Sequence, residues 1–451
     1  MGRAWRRRPR PAAARSGLIL QPSQIKSGSH TKIRGEAGAA MVHGSGRHKT
    51  HPSPQGIHRV IVVNPRPRSE GRSAALFRRL AACLSLAAAV LLPVPALALS
   101  QPDTAARQAY LVDLSSGAVL LDKNGTARMA PSSMTKMMTA YLTYDALVHG
   151  RTTLDTSFPV SQTAWKMGGS RMFLKLGSTV RVEDLLRGLL IDSGNDAAVA
   201  LAEGLAGSES AFAAMMNAKA RALGMADSHF MNASGWPDPD HYTTARDLAI
   251  LAGHLIRDFP QFYHYESERT FTWNGIRQGN RNPLLYHPVS VDGIKTGHTE
   301  VGGYGLTASG ERNGRRLVLV VNGLPSPQSR NDEPTRLLDW AWNSFRLYPL
   351  LRKGELVEQA PVWMGAEDSV PVTVADDVTV TMAPADRNSL HVVATLVEPL
   401  PSPVHRGDVV GQLRIDYDGA VRRQVDLVAG ADVPASSGLT ALGQRLGHLL
   451  P

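Results

Sequence analysis

Apolar and polar residues alternate through "RQAYLVDLSSGAVLLDKN", residues 107–124, on both sides of Ser-Ser-Gly. A period of two broken by turn residues predicts a β-hairpin. At "APSSMTKMMTAYL", residues 130–142, the apolar spacing turns helical and predicts a buried helix start. Further helical segments follow at about 182–205, 210–223 and 243–257, with Gly, Pro and Asp interrupting at "NASGWPDPD". "SVDGIKTGHT" then leads to "YGLTAS" and "RRLVLVVNG", where Asn313-Gly314 predicts a hairpin turn. A closing helix is expected at about 333–346. Helices inserted between strands from both ends of the segment predict an α+β domain with a largely antiparallel sheet. From about residue 354 the pattern becomes short alternating strands with Asp-Gly and Pro turns, a small all-β domain. At the end, Leu439, Leu442, Leu446, Leu449 and Leu450 fall on one helical face.

The chain has 451 residues and a formal net charge of +10, but the charge is uneven. Residues 1–79 carry 17 of the 49 Lys and Arg and 2 of the 39 Asp and Glu, so the remainder nets −5. The basic character belongs to the N-terminal tail, which argues against a nucleic-acid partner for the main body. That tail, residues 1–75, is rich in Arg, Pro, Gly and Ser and is expected to be disordered, with an over-extended gene start as its simplest origin. Arg78 and Arg79 then precede an apolar run from Leu80 to Leu92, with small residues at Ala96 and Ala98. This is the three-part pattern of a secretory signal over 76–98, cleaved after Ala98. The only cysteine, Cys83, lies inside it, so the mature chain has no disulfide and no thiol chemistry. No internal repeat and no metal-ligand spacing is found, and no cofactor is expected.

Ser-x-x-Lys occurs at Ser23/Lys26, Ser29/Lys32 and Ser133/Lys136, but only the last sits at a predicted helix start. There, residues i and i+3 share a face and free N–H groups favour developing negative charge. A serine hydroxyl needs a base, and a lysine desolvated among Met134, Met137 and Met138 can supply one. Taken alone, Lys136 is better explained by a side chain snorkelling from an amphipathic helix. Two further motifs change that balance. "LLIDSGNDAAVALAE" holds Ser193-Gly194-Asn195 in an apolar stretch, where buried polar groups demand partners. "GIKTGHT" holds Lys295-Thr296-Gly297, with Lys295 offering fixed positive charge and Gly297 a close backbone approach. Ser329-Arg330-Asn331 also fits S-x-N but comes after K-T-G. The ordered set S-x-x-K, S-x-N, K-T-G is that of penicillin-binding proteins and class A β-lactamases.

The chain resembles the low-molecular-mass penicillin-binding proteins, specifically the serine D-alanyl-D-alanine carboxypeptidases of peptidase family S11. "PSSMTKMMTAYL", "SRMFLKLGSTV", "LLIDSGNDAAVALAE", "FTWNGIRQGNRNPLL" and "VDGIKTGHTEVGGYGLTAS" carry the resemblance, which spans about residues 105–350. It implies a β-lactamase/transpeptidase-like catalytic domain over 99–353, an all-β domain over 354–434, and a linker with a membrane-associating segment over 435–451. It also implies Ser133 as nucleophile, Lys136 as general base and Ser193 as proton carrier to the leaving amine. Asn195, Lys295, Thr296, Gly297 and Arg330 would contact substrate, with the N–H groups of Ser133 and His298 as the oxyanion hole. The implied reaction removes the terminal D-Ala from a peptidoglycan stem pentapeptide, and β-lactams would acylate the same serine. The implied location is the bacterial periplasm, with 438–451 resting on the outer face of the cytoplasmic membrane. Three alternatives remain open: a D,D-endopeptidase acting on crosslinks, a β-lactamase, and a non-catalytic wall-binding scaffold. "MADSHFMNASGWPDPD" offers no glutamate for a deacylating water, which counts against the β-lactamase.

Overall fold

The computed structural model describes residues 57–62, 101–287 and 290–438. The signal segment 76–98 with Cys83, the rest of the tail and the leucine-spaced segment 439–451 lie outside the described residues.

The predicted hairpin forms as β1 (Gln108–Asp113) and β2 (Ala118–Lys123). Three later strands complete the sheet: β3 (Val291–Thr299), β4 (Gly303–Arg312) and β5 (Arg315–Leu324). Its order is β2-β1-β5-β4-β3, antiparallel throughout. The hairpin β4–β5 turns on Asn313 and Gly314, both at positive φ, as the Asn-Gly pair predicts. Both faces of β5 are buried with a period of two. Val318 and Val320 join the helical core, while Leu317, Leu319 and Val321 face a second core. That second core packs under α6 (Pro327–Ser344), which starts six residues earlier than the sequence pattern suggests. Ser326 explains the early start: it caps the helix and exchanges bonds with Ser329.

The helical layer holds α1 (Lys136–Val148), α2 (Val182–Leu190), α3 (Asn195–Ala206), α4 (Glu209–Ala222) and α5 (Ala245–Asp258). The expected single segment at 182–205 is two helices. Ser193, at φ 57°, takes the left-handed conformation between them, and the Gly194 N–H returns to the Gly188 carbonyl. Apolar spacing runs unbroken through Leu190 and Ile191, so periodicity alone could not reveal the corner.

The all-β domain follows as expected, with β6 (Arg346–Leu351), β7 (Leu356–Trp363), β8 (Ser369–Val374), β9 (Val378–Met382), β10 (His391–Glu398), β11 (Val409–Tyr417) and β12 (Ala420–Ala429). It has its own core, including Val372, Val380, Ala394, Leu413 and Leu427. One strand was not anticipated. Ile57–Val62 pairs antiparallel with β10, inside the tail expected to be disordered. Its sequence, "IHRVIV", is a short β-branched run, the composition that favours strands.

The two domains meet at Asp113, which is fully buried at the end of β1. Its Oδ2 accepts from Arg315 Nε at 2.6 Å and from Thr381 Oγ1 of β9 at 2.8 Å. Ser116 Oγ donates to Thr381 Oγ1 at 2.8 Å, and Thr379 Oγ1 donates to the Ser115 carbonyl at 2.7 Å.

Candidate active site

Three chain segments converge where the sheet edge meets the helical layer. The first is the 3-10 turn Ser132–Thr135, which runs directly into α1. The second is the corner Ser193–Asn195, and the third is β3. Among the described residues β3 is an edge strand whose one strand neighbour is β4, so its outer edge faces the cleft. The Ser132–Thr135 turn approaches β3 closely. A Cβ at Gly297 would lie 2.8 Å from the Pro131 carbonyl oxygen and 3.2 Å from Ser132 Cβ. Gly297 is therefore required by the packing of the nucleophile's own turn, a reason different from the substrate approach the sequence suggested. Gly235 makes the same concession from the other side. At φ 79°, its Cβ would fall 1.8 Å from the Ser132 carbonyl oxygen.

Lys136 is completely buried. Its Nζ lies 3.0 Å from Ser133 Oγ, 2.7 Å from Asn195 Oδ1 and 2.6 Å from the Ser234 carbonyl oxygen. Burial, aided by the nearby Lys295 and Arg281 cations, holds its pKa well below the ordinary lysine value; Asp196 opposes this in part. Asn195 completes its own bonding by donating Nδ2 to the Gly168 carbonyl at 2.8 Å. Asp196 accepts the N–H groups of Met172 and Leu174, so the start of α3 carries the whole loop 168–174.

Lys295 Nζ donates to Ser193 Oγ at 3.0 Å. Burial and the Arg281 and Arg330 cations lower it to about 7, against a raising effect from Glu266. Burial and the neighbouring cations thus work against the fixed charge expected from sequence. Thr296 is buried beside it. His298 stacks on Tyr304 with centroids 4.0 Å apart, and the Arg330 guanidinium lies over the same ring at 5.4 Å. Arg330 Nε is buried without a hydrogen-bond partner. Hydrogen bonds thus join Lys136 to Ser133 and Asn195, and separately Lys295 to Ser193, and Thr296, Gly297, His298 and Arg330 border them.

Sequence reading missed several contributors. Ser234 acts through its carbonyl and Gly235 through its lack of a side chain, so neither leaves a motif. Arg281 acts through its charge on Lys136, Lys295, Asp192 and Arg330. Asp192 is raised to about 7, mainly by burial. Neutral His241 lies behind the turn, its Nε2 2.9 Å from Thr135 Oγ1. Beside Ser132 runs a groove of about 440 Å³ walled by Ala130, Pro131, Trp236, Pro237, Thr299 and Val301. Among the described residues no cluster of His, Cys, Asp and Glu has the arrangement of a metal site.

The chain matches the D-alanyl-D-alanine carboxypeptidase family, Peptidase S11, over residues 96–326, and the C-terminal domain of penicillin-binding protein 5 over 345–435. D-alanyl-D-alanine carboxypeptidase DacA of Escherichia coli strain K12 is 37% identical over 341 residues, 74% of this chain and 85% of that protein. The structure of penicillin-binding protein 5 from Haemophilus influenzae matches with a TM-score of 0.71 at 35% identity, covering 75% of this chain and 100% of that one. Penicillin-binding protein D2 of Listeria monocytogenes, in its cefotaxime-bound form, matches with a TM-score of 0.50 at 28% identity, covering 53% of this chain and 98% of that one.

Proposed function

The chain belongs to the D-alanyl-D-alanine carboxypeptidase family, Peptidase S11, and from that premise we propose how its own residues carry the reaction. It is a serine-type D-alanyl-D-alanine carboxypeptidase. The observation that carries the division of roles is the surrounding of Lys136 Nζ. A neutral amine has two N–H donors and one lone pair. Asn195 Oδ1 and the Ser234 carbonyl, at 2.7 and 2.6 Å, use the two donors. The lone pair is left for the proton of Ser133 Oγ, 3.0 Å away.

Ser133 Oγ attacks the carbonyl carbon between the last two D-alanines as its proton passes to Lys136. The N–H groups of Ser133 and His298 receive the oxyanion, a contribution of about 2.7–4 kcal/mol per donor. Ser193 Oγ, bonded to Lys295, gives a proton to the leaving amine and takes in its place the one Lys136 received from Ser133, so terminal D-Ala departs and Lys136 is again neutral. Water then hydrolyses the acyl-enzyme. Lys295, Thr296 and Arg330 face the substrate carboxylate. A β-lactam presents its ring carbonyl to the same serine, a reading supported by the cefotaxime-bound relative. The test is D-alanine release from a D-Ala-D-Ala-terminated pentapeptide, run beside loss of crosslink from a dimeric muropeptide. Release from the pentapeptide with Ser133→Ala inert supports the assignment. Faster crosslink cleavage than pentapeptide trimming would favour the endopeptidase reading.

The signal pattern supports export to the periplasm with the mature chain starting near Leu99. The leucine-spaced segment 438–451 supports peripheral attachment to the outer face of the cytoplasmic membrane through an interfacial helix. Among the described residues no helix is long and apolar enough to cross a membrane. Deleting 438–451 should release the protein from membranes while leaving activity on soluble peptide unchanged.

A further inference from the structure

The groove of about 440 Å³ beside Ser132 has no part in the roles proposed above. Two large apolar side chains line it without being buried: Trp236 is 47% exposed and Val301 84%. Singly exposed apolar residues are ordinary, but two on one groove mark a surface that gains by being covered. Both walls are fixed in advance. On one side, Asn232 Oδ1 accepts from the N–H groups of Ser234, Gly235 and Trp236 at 3.2, 2.8 and 3.0 Å, and its Nδ2 donates to the Trp236 carbonyl at 3.0 Å. The Trp236 ring lies against the loop that carries Asn195: a Cβ at Gly168 would be 3.3 Å from its Cη2. On the other side, Thr299 Oγ1 accepts from the Gly302 N–H at 3.0 Å and meets Ser132 Oγ at 3.2 Å. Arg107 Nη2 donates to the Val301 and Gly302 carbonyls at 3.0 and 2.8 Å. A groove held in this way needs little ordering when a ligand enters.

Its place along the sheet edge says which part of a substrate reaches it. Lys295 and Thr296 of β3 face the substrate carboxylate, and the groove residues Thr299, Glu300 and Val301 come after them in the chain. At about 3.3 Å per strand residue, Thr299 lies about 10 Å beyond Thr296. A peptide running from that carboxylate toward its own N-terminus covers about 7 Å in two residues. The side chain of the residue before the two D-alanines therefore arrives at the groove. The lining also carries charge of one sign. Asp238 and Glu300 are its charged members, and no Lys or Arg lines it. Asp238 Oδ1 accepts the Asp240 N–H at 2.8 Å, and among the described residues neither carboxylate forms an ion pair. His241, also in the lining, is neutral at pH 7, lowered to about 4 mainly by burial.

We propose that this groove is the subsite for the side chain preceding the two D-alanines, and that it selects an aliphatic arm ending in a free ammonium. Trp236 and Val301 cover the arm, while Asp238 and Glu300 receive the charge. This deepens the carboxypeptidase reading and rests on Lys295 and Thr296 holding the substrate carboxylate. The four residues determine specificity and take no part in breaking the bond. A diamino acid supplies such an arm. Once its amine is acylated the charge is gone, so the groove distinguishes a free amine from a blocked one.

The experiment compares kcat/KM for D-alanine release from N-acetyl-X-D-Ala-D-Ala, where X is lysine, Nε-acetyllysine, norleucine or glycine. Norleucine should exceed glycine about tenfold through apolar cover. Lysine should exceed Nε-acetyllysine about fivefold at low salt, and by less as salt rises. Asp238→Asn combined with Glu300→Gln should bring the lysine-to-acetyllysine ratio to about one; a ratio unchanged in that variant would overturn the selection by charge. Trp236→Ala should shrink the norleucine-to-glycine ratio. A loss equal for all four peptides would mean that Trp236 acts through the loop at Gly168, and would overturn the apolar wall. Release from all four peptides at one rate by the wild type would overturn the proposal alone. No release from any of them would overturn the carboxypeptidase reading and the proposal with it.

Discussion

Three oxygens lie within 3.0 Å of Lys136 Nζ, one more than a neutral amine can serve as donor. A protonated lysine would satisfy all three and be useless as a base. Burial favours the neutral form. Lys136→Ala should slow acylation by a benzylpenicillin probe about 10²–10⁴-fold. Lys136→Arg should be as poor, since a guanidinium does not give up its proton. Arginine acylating at the wild-type rate would refute the base. His241 makes a different demand on pH. Its Nδ1 accepts from the Met231 N–H, so the ring proton sits on Nε2, toward Thr135 Oγ1. Burial lowers it to about 4 from an ordinary 6.5. A folded-state value below the unfolded one means that the unfolded chain binds the extra proton first. Stability is therefore unaffected above 6.5 and falls as pH drops toward 4, by about 3 kcal/mol at the lower end. His241→Gln should flatten that part of a melting-temperature profile between pH 7 and 4; an unchanged slope would refute it. The polar residues of the three motifs were legible because Ser, Asn and Lys in apolar runs stand out. Ser234 was not, because it offers only a carbonyl.

Elements build the site through their ends. α1 begins on Ser133's turn, α3 begins on Asn195, and β3 lies at the sheet edge. The alternation and Asn-Gly signals sufficed for the strands and hairpins, since those patterns are local. The corner at Ser193 was hidden because apolar spacing continues through it, and its conformation depends on bonds across the break. Asp196, just beyond the corner, ties the start of α3 to the 168–174 loop. It accepts from Met172 N at 3.0 Å and Leu174 N at 3.1 Å, and stands in the first turn of α3, where an anion is favoured. Asp196→Ala would strand two buried N–H groups and should cost about 2–5 kcal/mol. Denaturant unfolding reads the loss, and the loosened 168–174 loop, on which Asn195 also hangs, should slow acylation as well. Full stability in the variant would mean that water or a neighbour replaces the carboxylate.

Across the whole molecule, the covalent passage from α6 into the all-β domain runs through β6, and β6 itself pairs with β9. The return contact is made by Asp113, whose one oxygen serves Arg315 of the catalytic domain and Thr381 of the all-β domain. A carboxylate with no solvent contact cannot lose either partner cheaply. Opening one domain would strip Asp113 of half its compensation and expose the other domain's edge. Heat should thus melt the two cores together, as a single endotherm whose calorimetric and van't Hoff enthalpies agree. Thr381→Val together with Thr379→Val removes the side-chain bonds across this joint while leaving Arg315 in place, and should resolve that endotherm into two. Two peaks in the wild type would mean that the cores melt separately. A cooperative joint of this kind also makes damage non-local: a substitution in the all-β core, far from Ser133, lowers the population of active enzyme as effectively as one beside it.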